Sequence, residues 1–285
     1  MKNNGGVFLK KLLIGILCLF LLFIFILIHG YNENRSLEVE QLSIKLSNLP
    51  ENLDQLKIVH LSDIHFPKSR IEPAALIAET KKVDPDLIFL TGDLIDRTAD
   101  VDQTPLANLV ADLSEIAPTY SVSGNHETSS GQLEEWNEIM VQNGVTLLEN
   151  EMEIIAISNE NLAIVGLEDW QMMSEIRLTH DIEDLPVLLL AHRPEYFDSY
   201  QNDNPDIQPD VTFSGHAHGG QIRLPIIGPL FAPGQGFFPE YTSGIYPSPQ
   251  NSAKKLVVSR GIGNSLFPLR INNKPHFLII TLTSK

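Results

Sequence analysis

The chain has 285 residues, enough for one large domain or two small ones, and its 43% hydrophobic and 20% charged content is ordinary for a folded globular protein. Its formal charge is −16; residues 1–28 hold three lysines and no acid, so the remainder carries −19 from 17 basic and 36 acidic residues. That acidity argues against nucleic acid as a partner, because binding a phosphate backbone needs a basic face, and it suits a protein that holds cations.

The N-terminus reads as an address. Lys10 and Lys11 precede an uninterrupted apolar segment from Leu12 to Ile28. At about 1.5 Å per residue this run spans roughly 25 Å, slightly short of a ~30 Å hydrocarbon core unless flanking residues extend it. No small-x-small cleavage site follows in HGYNENRS, which predicts an uncleaved, single-pass transmembrane anchor over residues 1–30 and a globular domain over 31–285. Lys2, Lys10 and Lys11 place the N-terminus in the cytoplasm and the domain outside it. The lone Cys18 lies within the apolar run and excludes an intrachain disulfide.

Glu38 to Leu46 alternates like a strand, and LPENLDQL reads as a turn. One pattern then repeats, a short apolar run rich in β-branched residues followed by a polar cluster. LKIVHL runs into SDIH, LIFLT into GDLID, YSV into SGNHE, VLLLA into HRPE, VTF into SGHAH and LVV into SRGIG. Helices are predicted over Glu72–Lys82, over Thr104–Ile116 with Thr104 as cap, and over Leu133–Gln142 with Leu133, Trp136 and Met140 on one face. Met152–Gly166 reads as a hairpin. Strands alternating with helices indicate an α/β fold, in which ligands collect beyond the strand ends.

Five of the nine histidines lie in these clusters: His65, His126, His192, His216 and His218. With Asp63, Asp93, Asp96 and Asn125 they form a nitrogen and oxygen donor set without thiolate, which suits Mn²⁺, Zn²⁺ or Fe better than Ca²⁺. Asp63 and His65 are two residues apart, as are His216 and His218, so each pair in an extended segment faces one side. These are more donors than one tetrahedral ion uses; two ions sharing a carboxylate would use them all. His29, His60, His180 and His276 match no cluster and read as structural or surface residues.

The blocks SDIH, GDLID, SGNHE, the single histidine of LLLAHRPE and SGHAHGGQ stand in one order along the chain. Over residues 38–285 the chain thereby resembles the calcineurin-like metallophosphoesterases, and within them the bacterial YkuE/YaeI-like branch, whose members often carry an N-terminal membrane or export segment. The resemblance implies a four-layer αββα sandwich preceded by one transmembrane helix, and two divalent ions. It would place Asp63, His65 and His218 on one ion, Asn125, His192 and His216 on the other, and Asp93 between them. His126 would stabilise a phosphoryl oxygen or protonate the leaving oxygen, with Asp96 holding its ring.

The implied reaction is hydrolysis of a phosphodiester or pyrophosphate by a hydroxide activated between the ions. A cell-envelope phosphoester, lipid-linked in one reading, fits a domain outside the cytoplasm. Relatives of the YaeI type suggest a nucleotide-linked diacylated sugar of the UDP-2,3-diacylglucosamine kind, which would be cytoplasmic. A metal-binding module without turnover is the rival from another class. Gly215 is expected to turn the chain out of its strand, and Gly219 with Gly220 to leave space beside the ions. Arg97 reads as a phosphate contact or a solvated cation. The aromatic stretch Pro229 to Pro249 reads either as a cover for the core or as an apolar wall beside the site. SRGIGNS is no dinucleotide loop, because Pro268 stands where a helix would continue.

Overall fold

The computed structural model describes residues 4–169, 173, 176, 182, 184–264 and 267–284. Helix α1 (Asn4–Glu33) opens the chain. The first half then runs β1 (Glu38–Lys45), β2 (Leu56–Leu61), α2 (Pro73–Val83), β3 (Leu87–Thr91), α3 (Leu106–Ser114), β4 (Thr119–Val122), α4 (Asn125–Ser129), α5 (Leu133–Gln142) and β5 (Val145–Leu147). The second half holds β6 (Glu151–Ile157), β7 (Glu160–Leu167), β8 (Val187–Ala191), α6 (Phe197–Asn202) and β9 (Val211–Ser214). Four two-residue strands follow, β10 (Arg223–Leu224), β11 (Gly228–Pro229), β12 (Phe231–Ala232) and β13 (Gly236–Phe237), and then β14 (Gly244–Pro247), β15 (Lys255–Val258) and β16 (His276–Thr283).

Two six-stranded sheets result, in the orders β1-β16-β2-β3-β4-β5 and β14-β15-β9-β8-β7-β6. In the first, β2, β3, β4 and β5 are parallel and β16 is antiparallel to β2; in the second, β15, β9, β8 and β7 are parallel. Alternation explains why the sheets stack. Ile58, Leu87 and Phe89 of the first sheet meet Leu162, Leu188, Leu190 and Phe213 of the second in one buried layer. The intervening residues Val59, Leu61, Ile88 and Leu90 point outward to Leu76, Leu109, Trp136 and Met140 of α2, α3 and α5. On the far side Val165, Leu189 and Ala191 pack with Tyr200 of α6. Strands buried on both faces read as continuous apolar runs, and the product is the four-layer αββα sandwich.

The helix over Leu133–Gln142 and the strands over Leu56–Leu61 and Leu87–Thr91 have the bounds their periodicity predicts. The second predicted helix is shorter, Leu106–Ser114: the Thr104 hydroxyl donates to the Val101 carbonyl at 2.7 Å, closing the preceding turn, and accepts the Leu106 N–H only at 3.4 Å. The hairpin forms as β6 and β7, paired antiparallel. Helix α1 runs to Glu33, is exposed along its apolar run, and is long and apolar enough to cross a membrane.

The aromatic stretch divides. Tyr241 and Tyr246 pack against the buried Phe197, Ala232 and Leu256, so this half covers core, whereas Phe231, Phe237 and Phe238 are exposed. Of the histidines outside the clusters, His60 is buried with its Nε2 at 2.8 Å from the Thr91 hydroxyl, and His276 lies 2.8 Å from Glu40 Oε2. His29 lies on the surface, and His180 falls outside the described residues.

Candidate metal centre

The loops after β2, β3, β4, β8 and β9 all leave the C-terminal ends of parallel strands, where the two sheets open together. They bring all nine predicted site residues to one place. Asp63, His65, Asp93 and His218 offer donor atoms within 4.8 Å of one another, and so do Asp93, His192 and His216. Asp93 belongs to both groups. His65 Nε2 lies 3.1 Å from His218 Nε2, and His192 Nε2 lies 3.1 Å from His216 Nδ1. Asp93 Oδ2 is 3.6 Å from His65 Nε2 and 3.4 Å from His192 Nε2.

The backbone that aims these side chains is unusual. Asp63, His65, Asp93, His216 and His218 are all left-handed, with φ of 52°, 53°, 54°, 62° and 47°. That conformation costs roughly 1–2 kcal/mol per non-glycine residue, so the surroundings must hold it. Alternation in an extended strand, the expected reason for the paired spacing, is therefore not the device: both pairs lie beyond their strands, in tight turns.

Carboxylates hold two of these residues by their N–H groups, His216 and Asp93, while the N–H groups of Asp63 and His65 donate to the Gly92 and Asp93 carbonyls, both at 3.0 Å. Both Asp63 oxygens accept from the His216 N–H, at 3.1 and 3.0 Å, and Asp93 Oδ1 accepts from the His126 N–H at 2.8 Å. Glu127, fully buried, accepts from the N–H groups of Asp93 at 2.8 Å, Ile95 at 3.0 Å and Gly124 at 2.8 Å.

The glycines act differently from the expectation. A Cβ on Gly215 would lie 1.9 Å from Ser62 Oγ and 2.2 Å from Asp63 Oδ2, so glycine here permits the close approach of two loops. Gly219 and Gly220 do not border open space: their Cβ atoms would meet Asn273 Oδ1 at 2.2 Å and Pro229 Cβ at 2.3 Å.

The donor set fits divalent cations. Asn125 Oδ1 is buried without a hydrogen-bond partner. Burial raises the Asp63 carboxyl to about 7. Burial opposes a charge on His192, yet the neighbouring Asp93 and Asp63 outweigh it and push the imidazole up to about 10. The carboxylates thus call for positive charge between the sheets. His192 Nδ1 donates to the Thr91 carbonyl at 2.7 Å, which turns Nε2 toward Asp93 as a metal-ligating imidazole requires. His216 and His218 are lowered by burial, and His65 is lowered to about 3 for the same reason; all three are neutral donors at pH 7.

Beside the two groups, His126 Nδ1 accepts from the Arg97 N–H at 3.0 Å, and the Arg97 guanidinium lies 3.2 Å from Nε2. Burial lowers the pKa of His126, with Asp93 opposing and Arg97 adding to the effect. Asp96 Oδ2 is 3.4 Å from Nδ1, but its hydrogen bonds go to Lys68 Nζ and the Thr98 hydroxyl, both at 2.6 Å. Burial disfavours its ion, and those bonds prevail to hold its pKa at about 2.

Sequence reasoning missed four residues. Arg193 forms a two-pronged pair with Asp169, at 2.6 and 3.2 Å, and sets Nη1 at 3.2 Å from His216 Nε2. Arg270, fully buried and pushed down to about 9 by that burial, donates to the Arg260 carbonyl at 2.9 Å and lies 3.5 Å from His218 Nδ1. Glu127 stood inside a quoted block, and its three buried acceptances are invisible in spacing. Arg270 belongs to no motif and carries no sequence signal.

Imidazoles, carboxylates and an amide oxygen converging at the strand ends of an αββα sandwich define a metal-dependent hydrolase. The chain belongs to the calcineurin-like phosphoesterase family, whose model matches residues 56–220, more than half of its length. It is 30% identical to Phosphodiesterase YaeI of Escherichia coli (strain K12), over 84% of this chain and 86% of that one. It is 29% identical to the metallophosphoesterase YkuE of Bacillus subtilis (strain 168), over 89% and 88%. A transmembrane protein with metallophosphoesterase domain from Danio rerio is 26% identical over 86% of this chain and 57% of its own. The enzyme is accordingly a hydrolase of phosphoric esters.

Proposed function

We propose that the chain is a membrane-anchored phosphodiesterase or pyrophosphatase whose domain, residues 31–285, works on the outer side of the membrane, held by the anchor 1–30. The observation that carries the catalytic part is the membership of Asp93 in both donor groups. Asp63, His65 and His218 would hold one cation, Asn125, His192 and His216 a second, and Asp93 both. Two such ions lower the pKa of a shared water and clamp phosphoryl oxygens for in-line displacement.

The remaining work falls to residues at the rim. His126 accepts the Arg97 backbone N–H at Nδ1, and its Nε2 faces the Arg97 guanidinium at 3.2 Å and Asp93 Oδ2 at 3.9 Å, at the edge where the ring would act on a leaving oxygen. Arg97 adds a fixed positive charge beside that ring for a non-bridging oxygen. Asp96 fixes the turn that carries Arg97 through its bonds to Lys68 and Thr98. The preference for a diester rests on the relative named phosphodiesterase. The outward orientation rests on Lys2, Lys10 and Lys11 before the apolar run. It favours an envelope or lipid-linked phosphoester over a cytoplasmic nucleotide-linked sugar.

The test is elemental analysis of the purified full-length protein, with Mn²⁺-supported hydrolysis of bis(p-nitrophenyl) phosphate. About two ions per chain with turnover is expected. One ion or none after metal is added back would overturn the two-cation assignment. Two ions with no turnover of any phosphoester would favour a metal-binding module.

A further inference from the structure

The end of α1 is bonded to the domain rather than joined to it by a free linker. Asn34 donates from Nδ2 to the Pro268 carbonyl at 2.7 Å and accepts the Arg270 N–H at 2.9 Å. Glu33 accepts the Asn273 N–H at 2.7 Å, and His29 Nε2 lies 3.2 Å from Asn272 Oδ1. Asn272 in turn donates to the Arg223 carbonyl at 2.9 Å, and the Arg223 N–H donates to the Ile271 carbonyl at 2.9 Å. One loop, residues 267–273, therefore separates the exit of the apolar helix from the flap formed by β10 to β13.

That flap is apolar and open. Outside α1, nine large hydrophobic side chains are exposed among the described residues, and six of them, Ile226, Ile227, Phe231, Phe237, Phe238 and Phe267, lie in the flap or its neighbouring loop. Such a concentration differs from the single scattered apolar residues of ordinary surfaces. Ile226 is wholly exposed, Phe237 is 77% exposed, and the Phe231 and Phe237 rings meet edge to face at 5.4 Å. In a chain of charge −16, residues 221–239 and 267–284 contain no acid, and Arg223 and Lys274 are cations there. Within these two segments an anionic lipid surface meets no like charge, and the nearest acids are Glu240, directly after the first, and Glu195, beside Gly234. Arg35 stacks over Tyr31 at 3.8 Å where α1 ends, a pairing suited to the headgroup level.

We propose that residues 222–238, together with Phe267, dock on the bilayer surface beside α1, with Ile226, Ile227, Phe237 and Phe238 entering the boundary between headgroups and acyl chains. The proposal rests on the reading of α1 as a membrane anchor. The occupant is the lipid bilayer itself, because the bonded helix end leaves the flap next to it. The loop carrying His216 and His218 runs straight into this flap, and Arg223 Nη1 donates back to the Gly219 carbonyl at 3.0 Å. Docking would hold the edge of the metal centre at the lipid surface.

Nitroxide labels on full-length protein test this, in vesicles of phosphatidylethanolamine and phosphatidylglycerol. In a Cys18→Ser background, single labels replace Leu19 in α1 (Leu19→Cys), Ile226 and Phe237 in the flap (Ile226→Cys, Phe237→Cys) and the exposed Val141 of α5 (Val141→Cys), with metal content confirming the fold. Labels at 226 and 237 are expected to lose collisions with a water-soluble nickel complex several-fold relative to 141, and to gain collisions with oxygen. Labels at 226 and 237 as wet as 141, with 19 in hydrocarbon, would overturn the docking and leave the anchor standing. A label at 19 that is itself in water would overturn the anchor and the docking with it.

Discussion

His192, at the end of β8 in one sheet, donates its Nδ1 proton to the carbonyl of Thr91, at the end of β3 in the other, at 2.7 Å. This bond joins the two sheets at the metal centre and sets Nε2 3.4 Å from the shared Asp93 carboxylate. On the proposed two-cation assignment, His192→Ala should lower bound metal by about one ion per chain and cut phosphodiester hydrolysis by about a hundredfold or more. Elemental analysis beside steady-state kinetics checks both parts. Unchanged metal content would remove His192 from the ligand set.

His126 groups with His65 and Asp96 and belongs to neither of the two donor groups that share Asp93. His126→Gln should therefore keep the metal and lower kcat by about 100- to 10,000-fold on a substrate with a poor leaving group. The loss should be smaller with p-nitrophenolate, which departs without a proton. Equal losses on both leaving groups would argue against proton donation.

Gly215 has room for hydrogen only, between Ser62 and Asp63. Gly215→Ala should destabilise the fold by about 1–3 kcal/mol, as overpacking of a rigid site does, and should weaken metal retention because Asp63 must move. Urea denaturation of the detergent-solubilised protein measures the first. A denaturation midpoint within error of the parent would show the two loops to be compliant.

His60 supplies a pH dependence that can be assigned to one side chain. Burial lowers its pKa to about 3, so the folded protein keeps it neutral while the unfolded chain protonates near 6.5. The unfolded state then binds more protons, and stability is lost as pH falls from about 6.5 toward 3, by about 1.4 kcal/mol per pH unit for this one group. His60→Gln should flatten the slope of unfolding free energy between pH 6.5 and 5 by close to one proton, measured against the parent under identical metal conditions so that the other histidines contribute equally to both. An unchanged slope would mean that His60 is charged in the folded state.

Much of the fold was legible because its cause is local. The apolar runs at 56–61, 87–91 and 187–191, and the 3.6-residue stripe of Leu133, Trp136 and Met140, report their own burial. The chemistry-bearing residues were legible because Asp63, His65, Asp93, Asn125, His126, His192, His216 and His218 each follow such a run, and because their types have no common role in turns as a set. By itself the sequence determined the apolar N-terminal segment, the strand-end clusters and the identity of the donors. The rest depends on contacts between distant segments. The C-terminal strand slots between the first two, the left-handed His216 and Asp93 are held by carboxylates of Asp63 and Glu127 from other loops, and Arg193, Glu127 and Arg270 gain their partners from neighbouring loops: Asp169 after β7, Asp93 and Ile95 after β3, and the segment between β15 and β16. The tertiary structure alone decided that α1 is bonded to the loop beside the flap, since His29 and Asn272 are 243 residues apart and periodicity carries no information over that span.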